Sequence, residues 1–189
     1  MKFIGIIPAR YASTRFPGKP LADLCGKPVV QHVYEQTSKI LDTVIVATDD
    51  QRIYNCVRGF GGLVYMTSSE HRCGTDRICE AYQLYKQDAK NDDDTVIVNI
   101  QGDEPFIQRS QLESVMACFK DSTTDIATLV KPFTPEDGWE ALSNPNSPKV
   151  VVGSNMDALY FSRSVIPYLR GEETNEWLSR HTYYKHIGL

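Results

Sequence analysis

Phe3-Ile4-Gly5-Ile6-Ile7 runs directly into Pro8-Ala9-Arg10-Tyr11-Ala12-Ser13-Thr14-Arg15-Phe16-Pro17-Gly18-Lys19-Pro20 at the start of the chain. The apolar run predicts a short buried strand, and the segment after it predicts a loop that is stiff, small and cationic. Pro8, Pro17 and Pro20 fix φ and remove donors, while Gly18 and the small residues Ala9, Ala12 and Ser13 let backbone approach a ligand. Arg10, Arg15 and Lys19 add three positive charges. A strand ending in backbone N–H groups and cations is how α/β proteins hold nucleotide phosphates, at the carboxyl edge of the sheet. The alternative is a surface loop that happens to be basic.

Further apolar, β-rich runs alternate with helical patterns along the rest of the chain. Strands are expected at Thr43–Thr48, Leu63–Met66, Thr95–Ile100, Ile126–Leu129, Lys149–Gly153 and Ala158–Ser162, and amphipathic helices at Val29–Ile40, Asp49–Phe60, Thr75–Tyr85 and Ser110–Phe119. That alternation predicts βαβ units in an α/β fold, a Rossmann-like three-layer arrangement around a mainly parallel, mixed sheet. Asp49 and Asp50 stand where an N-cap and a first-turn acid belong. Pro, Asn, Ser and Asp become frequent after about Pro132. The expectation is one domain over 1–189, with a nucleotide-binding portion at 1–131 and a substrate-facing portion at 132–189.

Composition sets the class. With 189 residues, 41% hydrophobic and 23% charged, the chain suits one good core. A net charge of −4 argues against a protein that coats nucleic acid, so its cations are local. The opening apolar run is too short for a secretory signal, and no run reaches the roughly 18–20 apolar residues of a membrane span. The chain therefore reads as soluble and cytoplasmic. Its five cysteines form no Cys-x-x-Cys pair and stand at no zinc-ligand spacing, and are expected as reduced thiols.

Two further constellations carry chemistry. In Val96-Ile97-Val98-Asn99-Ile100-Gln101-Gly102-Asp103-Glu104-Pro105 an apolar strand ends on Gly102, whose backbone freedom is the expected reason for glycine there, and presents Asp103 at the sheet's carboxyl end. A carboxylate so placed can hold Mg²⁺ against nucleotide phosphates, or simply cap the next turn. In Glu70-His71-Arg72-Cys73-Gly74-Thr75-Asp76-Arg77, Thr75 is the expected N-cap of a helix, and Gly74 allows close approach to a base or sugar. Arg77 is expected either to reach into the pocket or to pair with Asp76 or Glu80 on the helix surface.

Together these three blocks closely resemble the 3-deoxy-manno-octulosonate cytidylyltransferase family, the CMP-Kdo synthetases of the sugar nucleotidyltransferase superfamily. Asn144-Pro145-Asn146 with Lys149-Val150-Val151, Ala158-Leu159-Tyr160-Phe161-Ser162-Arg163 with Ile166-Pro167, and His186-Ile187-Gly188 extend the resemblance to the chain's end. It implies an enzyme that activates Kdo, an acidic eight-carbon sugar of lipopolysaccharide in Gram-negative bacteria, with CTP. In that reaction the anomeric hydroxyl attacks the α-phosphorus and pyrophosphate leaves. Carried over by position, Arg10, Arg15, Lys19 and Asp103 are catalytic, with Mg²⁺ on Asp103. The nucleotide is expected against Pro8, Ala9, Arg10, Ser13, Arg15, Lys19, Gly74, Thr75, Arg77, Gln101, Gly102 and Asp103. The sugar is expected against Gln101, Arg163, Arg170 and His186, the last of which, read from its apolar-aromatic surroundings alone, is an ordinary strand histidine. Lys149 either steers the nucleotide or merely starts a strand.

Family members continue past Leu189, so the resemblance implies a chain truncated at its C-terminus. A second metal carboxylate, further sugar contacts and much of a homodimer interface are then expected beyond it. The alternatives are another sugar nucleotidyltransferase, such as one that activates sialic acid, and a non-catalytic nucleotide-binding module.

Overall fold

The structure is a computed structural model that describes residues 1–12, 16–89 and 94–189. The chain forms two compact units, residues 1–122 together with Leu189, and residues 123–188.

The first unit is built in chain order from β1 (Lys2–Pro8), a two-strand ribbon of β2 (Asp23–Leu24) and β3 (Lys27–Pro28), α1 (Val29–Thr37), β4 (Thr43–Thr48), α2 (Gln51–Gly59), β5 (Leu63–Met66), α3 (Gly74–Ala89), β6 (Thr95–Asn99) and α4 (Arg109–Cys118). Its sheet has the order β5-β4-β1-β6, and every pairing in it is parallel. β1 lies between β4 and β6, with Ile6 facing Ile45 on one side and Asn99 on the other. Helices bury both faces, which explains why the strands are apolar throughout rather than alternating. One face packs Ile7, Val46 and Val98 with Val30, Val33 and Ile53; the other packs Ile4, Ile6, Ile45 and Ala47 with Ile78 and Ala81.

The elements expected in this half are all present, with shifts at their ends. α2 starts at Gln51 because Asp50 is its N-cap, accepting a hydrogen bond from the Arg52 N–H. α3 starts at Gly74, so Thr75 lies inside the first turn and is not the cap. That helix also runs four residues past Tyr85.

The second unit contains β7 (Leu129–Pro132), α5 (Gly138–Ser143), β8 (Lys149–Val152), β9 (Ala158–Ser162), α6 (Trp177–Arg180) and β10 (Tyr184–Ile187). Its sheet, β7-β10-β8-β9, is separate and wholly antiparallel. The parallel arrangement therefore stops at β6. After it the strands lack the long helical crossovers that parallel pairing needs, and β8 and β9 are joined by a tight turn closed by Gly153 N–H to Asp157 C=O at 2.8 Å. The core here is aromatic: Trp177, Tyr183, Phe133 and Leu142 are buried together. β7 begins three residues later than expected, and α5, α6 and β10 were not among the elements expected from the sequence.

Candidate active site

Parallel strands deliver their carboxyl ends to one edge, and the first unit's site is built there. After β1, Pro8 carries no N–H and the buried Ala9 N–H donates to the Ala47 carbonyl at 2.8 Å, so backbone donors for a ligand begin only at Arg10. The following loop closes where Gly18 N–H meets the Tyr11 carbonyl at 2.9 Å, and Gly18 takes a left-handed φ of 72° to make the turn. Tyr11 is held in turn: the Arg52 guanidinium lies 3.3 Å from its ring centroid, and Asp50 grips Arg52 at 2.7 and 3.0 Å. That ion pair keeps the Asp50 carboxyl below its usual range. Ser13 and Arg15 lie outside the described residues.

At the end of β6 the chain turns through Gln101-Gly102-Asp103. Gly102 is not at a positive φ; its reason for being glycine is space, since a Cβ there would stand 2.8 Å from the Pro8 carbonyl oxygen. The loops after β1 and β6 therefore touch backbone to backbone. Their charges meet as well: Lys19 Nζ donates to Asp103 Oδ2 at 2.7 Å, with both side chains partly exposed. Glu104 lies beside them, half-buried, and burial first and the Asp103 charge second push its carboxyl above the ordinary range.

Of the two alternatives for Arg77, the structure shows the inward one: it lines a cleft and forms no ion pair with Asp76 or Glu80 on the helix surface. It is 2% exposed and clamps three elements, donating through Nη1 to Thr67 Oγ1 at 2.5 Å and through Nη2 to Asp49 Oδ2 at 2.7 Å. Asp49 ends β4 and Thr67 follows β5, so the first turn of α3 is fastened to the edge where those strands finish. The preceding turn is fixed by Glu80, which accepts from the Ser68 N–H and contacts His71 Nε2 at 2.5 Å; the backbone bond is the main cause of its lowered pKa. The result is a cleft of about 180 Å³ lined by Pro8, Arg10, Cys73, Gly74, Arg77 and Gln101. Five of the residues expected around a nucleotide are thus brought together. Thr75 does not line the cleft, and Asp49, Thr67 and Cys73 were not anticipated. Thr48-Asp49-Asp50, an apolar strand ending in acids, was the available signal.

The expected sugar residues lie in the second unit. Arg163 is exposed just past β9 and donates to the Pro145 carbonyl at 2.7 Å; Arg170 is exposed in the loop that follows. His186, on β10, bonds through Nε2 to Thr128 Oγ1 at 2.9 Å and meets the Phe161 ring edge-on, with centroids 5.2 Å apart. It is a hydrogen-bonded strand histidine, and burial holds its pKa below the ordinary 6.5. Among the described residues no group of three or more His, Cys, Asp or Glu side chains is gathered as a metal cage.

Comparison with known proteins gives a consistent picture. A cytidylyltransferase family model matches residues 4–189. The 3-deoxy-manno-octulosonate cytidylyltransferases of Phocaeicola vulgatus and Bacteroides thetaiotaomicron are 67% and 61% identical over the whole chain, which spans 73% and 74% of their lengths. A solved CMP:2-keto-3-deoxy-manno-octonic acid synthetase in complex with CTP superposes on the whole chain with a TM-score of 0.82 at 40% identity, covering 72% of that protein.

Two outcomes follow from the geometry. Gly102→Ala pushes a methyl into the Pro8 carbonyl and is expected to lower stability by about 1–3 kcal/mol in urea unfolding, whereas Gly74→Ala, whose Cβ would sit 3.4 Å from Pro8 Cγ, is tolerated. The neutral state of His186 is favoured by folding, so its stabilising effect is complete above the unfolded pKa near 6.5 and is lost as pH falls below it. A His186→Gln variant, which keeps a partner for Thr128, is expected to show a shallower fall in melting temperature between about pH 7 and pH 5 than the unchanged chain.

Proposed function

The chain belongs to the 3-deoxy-manno-octulosonate cytidylyltransferase family, and from that premise we propose how its own residues carry the reaction. The enzyme transfers CMP from CTP to Kdo, giving CMP-Kdo and pyrophosphate. The alternatives of a sialic acid-activating relative and of a non-catalytic binding module are set aside by those relatives.

Negative charge builds on the triphosphate as the bond between the α-phosphorus and the departing pyrophosphate breaks. The chain's contribution is to hold that charge and to orient the two substrates, because in-line phosphoryl chemistry needs little else from protein. Arg10, at the cleft, and Lys19, one turn further along the same loop, are assigned to the phosphates, as is Arg15 by its place in the sequence. Gly74 and Arg77, which line the cleft, are assigned to the cytidine side, and Gln101, two residues before Asp103, is assigned to both substrates. Arg163, Arg170 and His186 are assigned to the acidic sugar.

Mg²⁺ is the proposed cofactor, and the residues present fit it. Asp103 is an exposed carboxylate at the strand end, and a cation, the Lys19 ammonium, already sits on it at 2.7 Å. Mg²⁺ usually takes one or two protein carboxylates and fills its shell with water and phosphate oxygens, so Asp103 would be one anchor, with the second carboxylate that the family resemblance implies completing the set. Asp103 would hold the ion, which would supply charge neutralisation to the phosphates, and Lys19 on the same edge offers an ammonium to a phosphate oxygen.

A homodimer is proposed on the character of β9. This edge strand is exposed along most of its length, with Leu159 64%, Tyr160 65% and Phe161 46% accessible, and an open edge with apolar side chains is normally covered. A cytoplasmic reaction is proposed because CTP is drawn from that compartment. No helix among the described residues is long and apolar enough to cross a membrane.

The observation that carries this mechanism is the Lys19–Asp103 pair beside the cleft that gathers Arg10, Gly74, Arg77 and Gln101. Pyrophosphate release from CTP and Kdo with Mg²⁺ tests it. Asp103→Asn is expected to reduce that release by roughly a hundredfold or more while CTP still binds. Unchanged turnover in this variant would remove Asp103 from the chemistry.

A further inference from the structure

Lys149 opens β8 and is 0% exposed, the only fully buried cation besides the clamped Arg77 among the described residues. Its ammonium donates to the Asn144 carbonyl at 3.0 Å, and among the described residues no carboxylate pairs with it. Its neighbours add more positive charge. The strand register sets Lys149 opposite Lys185, and Lys185 opposite Lys131, while burial first and the Arg163 charge second lower the Lys149 pKa. A buried, unpaired ammonium facing like charges costs stability, and an apolar side chain of the same length would fill the space without that cost. Packing alone gives no reason for lysine here.

The contacts of Lys149 supply one. Asn144 caps the end of α5, and its carbonyl accepts from both Lys149 Nζ and the Ser147 N–H at 3.1 Å. The next carbonyl in the chain, that of Pro145, is the one that Arg163 Nη1 grips. Two cations thus hold successive carbonyls of one turn, the first from within the core and the second from the surface. Holding Asn144 fixes Pro145, and Pro145 fixes the guanidinium. An arginine has five N–H donors in a rigid fork, so one held by a single carbonyl keeps an edge for a carboxylate. Among the described residues no carboxylate forms an ion pair with Lys149 or Arg163, so the free edge of the guanidinium is open to an anion.

We infer that Lys149 is a positioning residue: by fixing the Asn144-Pro145 turn, it aims the Arg163 guanidinium at the carboxylate of the acidic sugar. This rests on the assignment of Arg163 to that substrate. The role predicts a selective defect. Lys149→Met, close in volume but without charge or donor, is expected to raise the KM for Kdo about tenfold and leave kcat and the KM for CTP within about twofold. Lys149→Gln, which keeps a donor for the Asn144 carbonyl, is expected to recover most of the loss. In an Arg163→Gln background, Lys149→Met is expected to add almost nothing, because the two act as one unit.

Pyrophosphate-release kinetics on these four proteins and the unchanged chain decide the matter. An unaltered KM for Kdo in Lys149→Met overturns the inference, as do equal rises in both KM values or full additivity with Arg163→Gln. Should Lys149→Met not fold, Lys149→Leu, which also lacks the donor, takes its place alone and in the Arg163→Gln background: an unaltered KM for Kdo or an equal rise in the KM for CTP overturns the inference, and a Kdo-selective rise that disappears in the Arg163→Gln background supports it. Absence of Kdo-dependent release by the unchanged chain counts instead against the proposed function.

Discussion

The parallel insertion of β1 between β4 and β6 is the constraint on which the first unit depends. Because the three strands run the same way, the phosphate loop, the Asp49 turn and the Gln101-Gly102-Asp103 turn all emerge at one edge. Parallel pairing also requires helical crossovers, which bury both sheet faces and leave that edge as the place where polar groups can collect. The same edge then receives α3, whose first turn is fastened by Arg77 to Asp49 and Thr67. Removing either partner of such a buried pair leaves a charge without compensation, so the two residues are tied to one another at the cleft's wall.

Electrostatics divide the work between local neutrality and local excess. Around the cleft three cations are matched by acids: Lys19 by Asp103, Arg77 by Asp49, Arg52 by Asp50. Arg10, on the cleft wall, has no such ion pair among the described residues. The second unit is different: among the described residues Lys149 and Arg163 are held by backbone carbonyls and by no carboxylate, beside an aromatic core of Trp177, Tyr183 and Phe133.

The central sheet and the site's location were legible because they rest on local signals. The continuous apolar runs at 3–7, 43–48 and 95–100 are short, rich in β-branched residues and each end in Pro, Asp or Gly-Asp, which favours buried parallel strands with a polar edge. The ordered motifs named the family for the same reason. Tertiary choices were not legible. Arg77 has Asp76 and Glu80 at helical spacing, yet it joins Asp49, distant in sequence, because the buried edge needs its charge matched. Gly102 looked like a residue needing an unusual φ, whereas the nearness of the Pro8 carbonyl excludes a side chain. The antiparallel sheet of the second unit was hidden by its short strands, and β10 was legible only through the strand reading of His186.

Amide hydrogen exchange with and without CTP and Mg²⁺ tests the claim that three separate segments form one nucleotide site. The account predicts that CTP slows exchange together at residues 10–12, 73–77 and 101–104, with the exposed face of α2 unchanged. CTP binding that leaves any of those three segments unprotected, or that protects a different edge of the sheet, would contradict it.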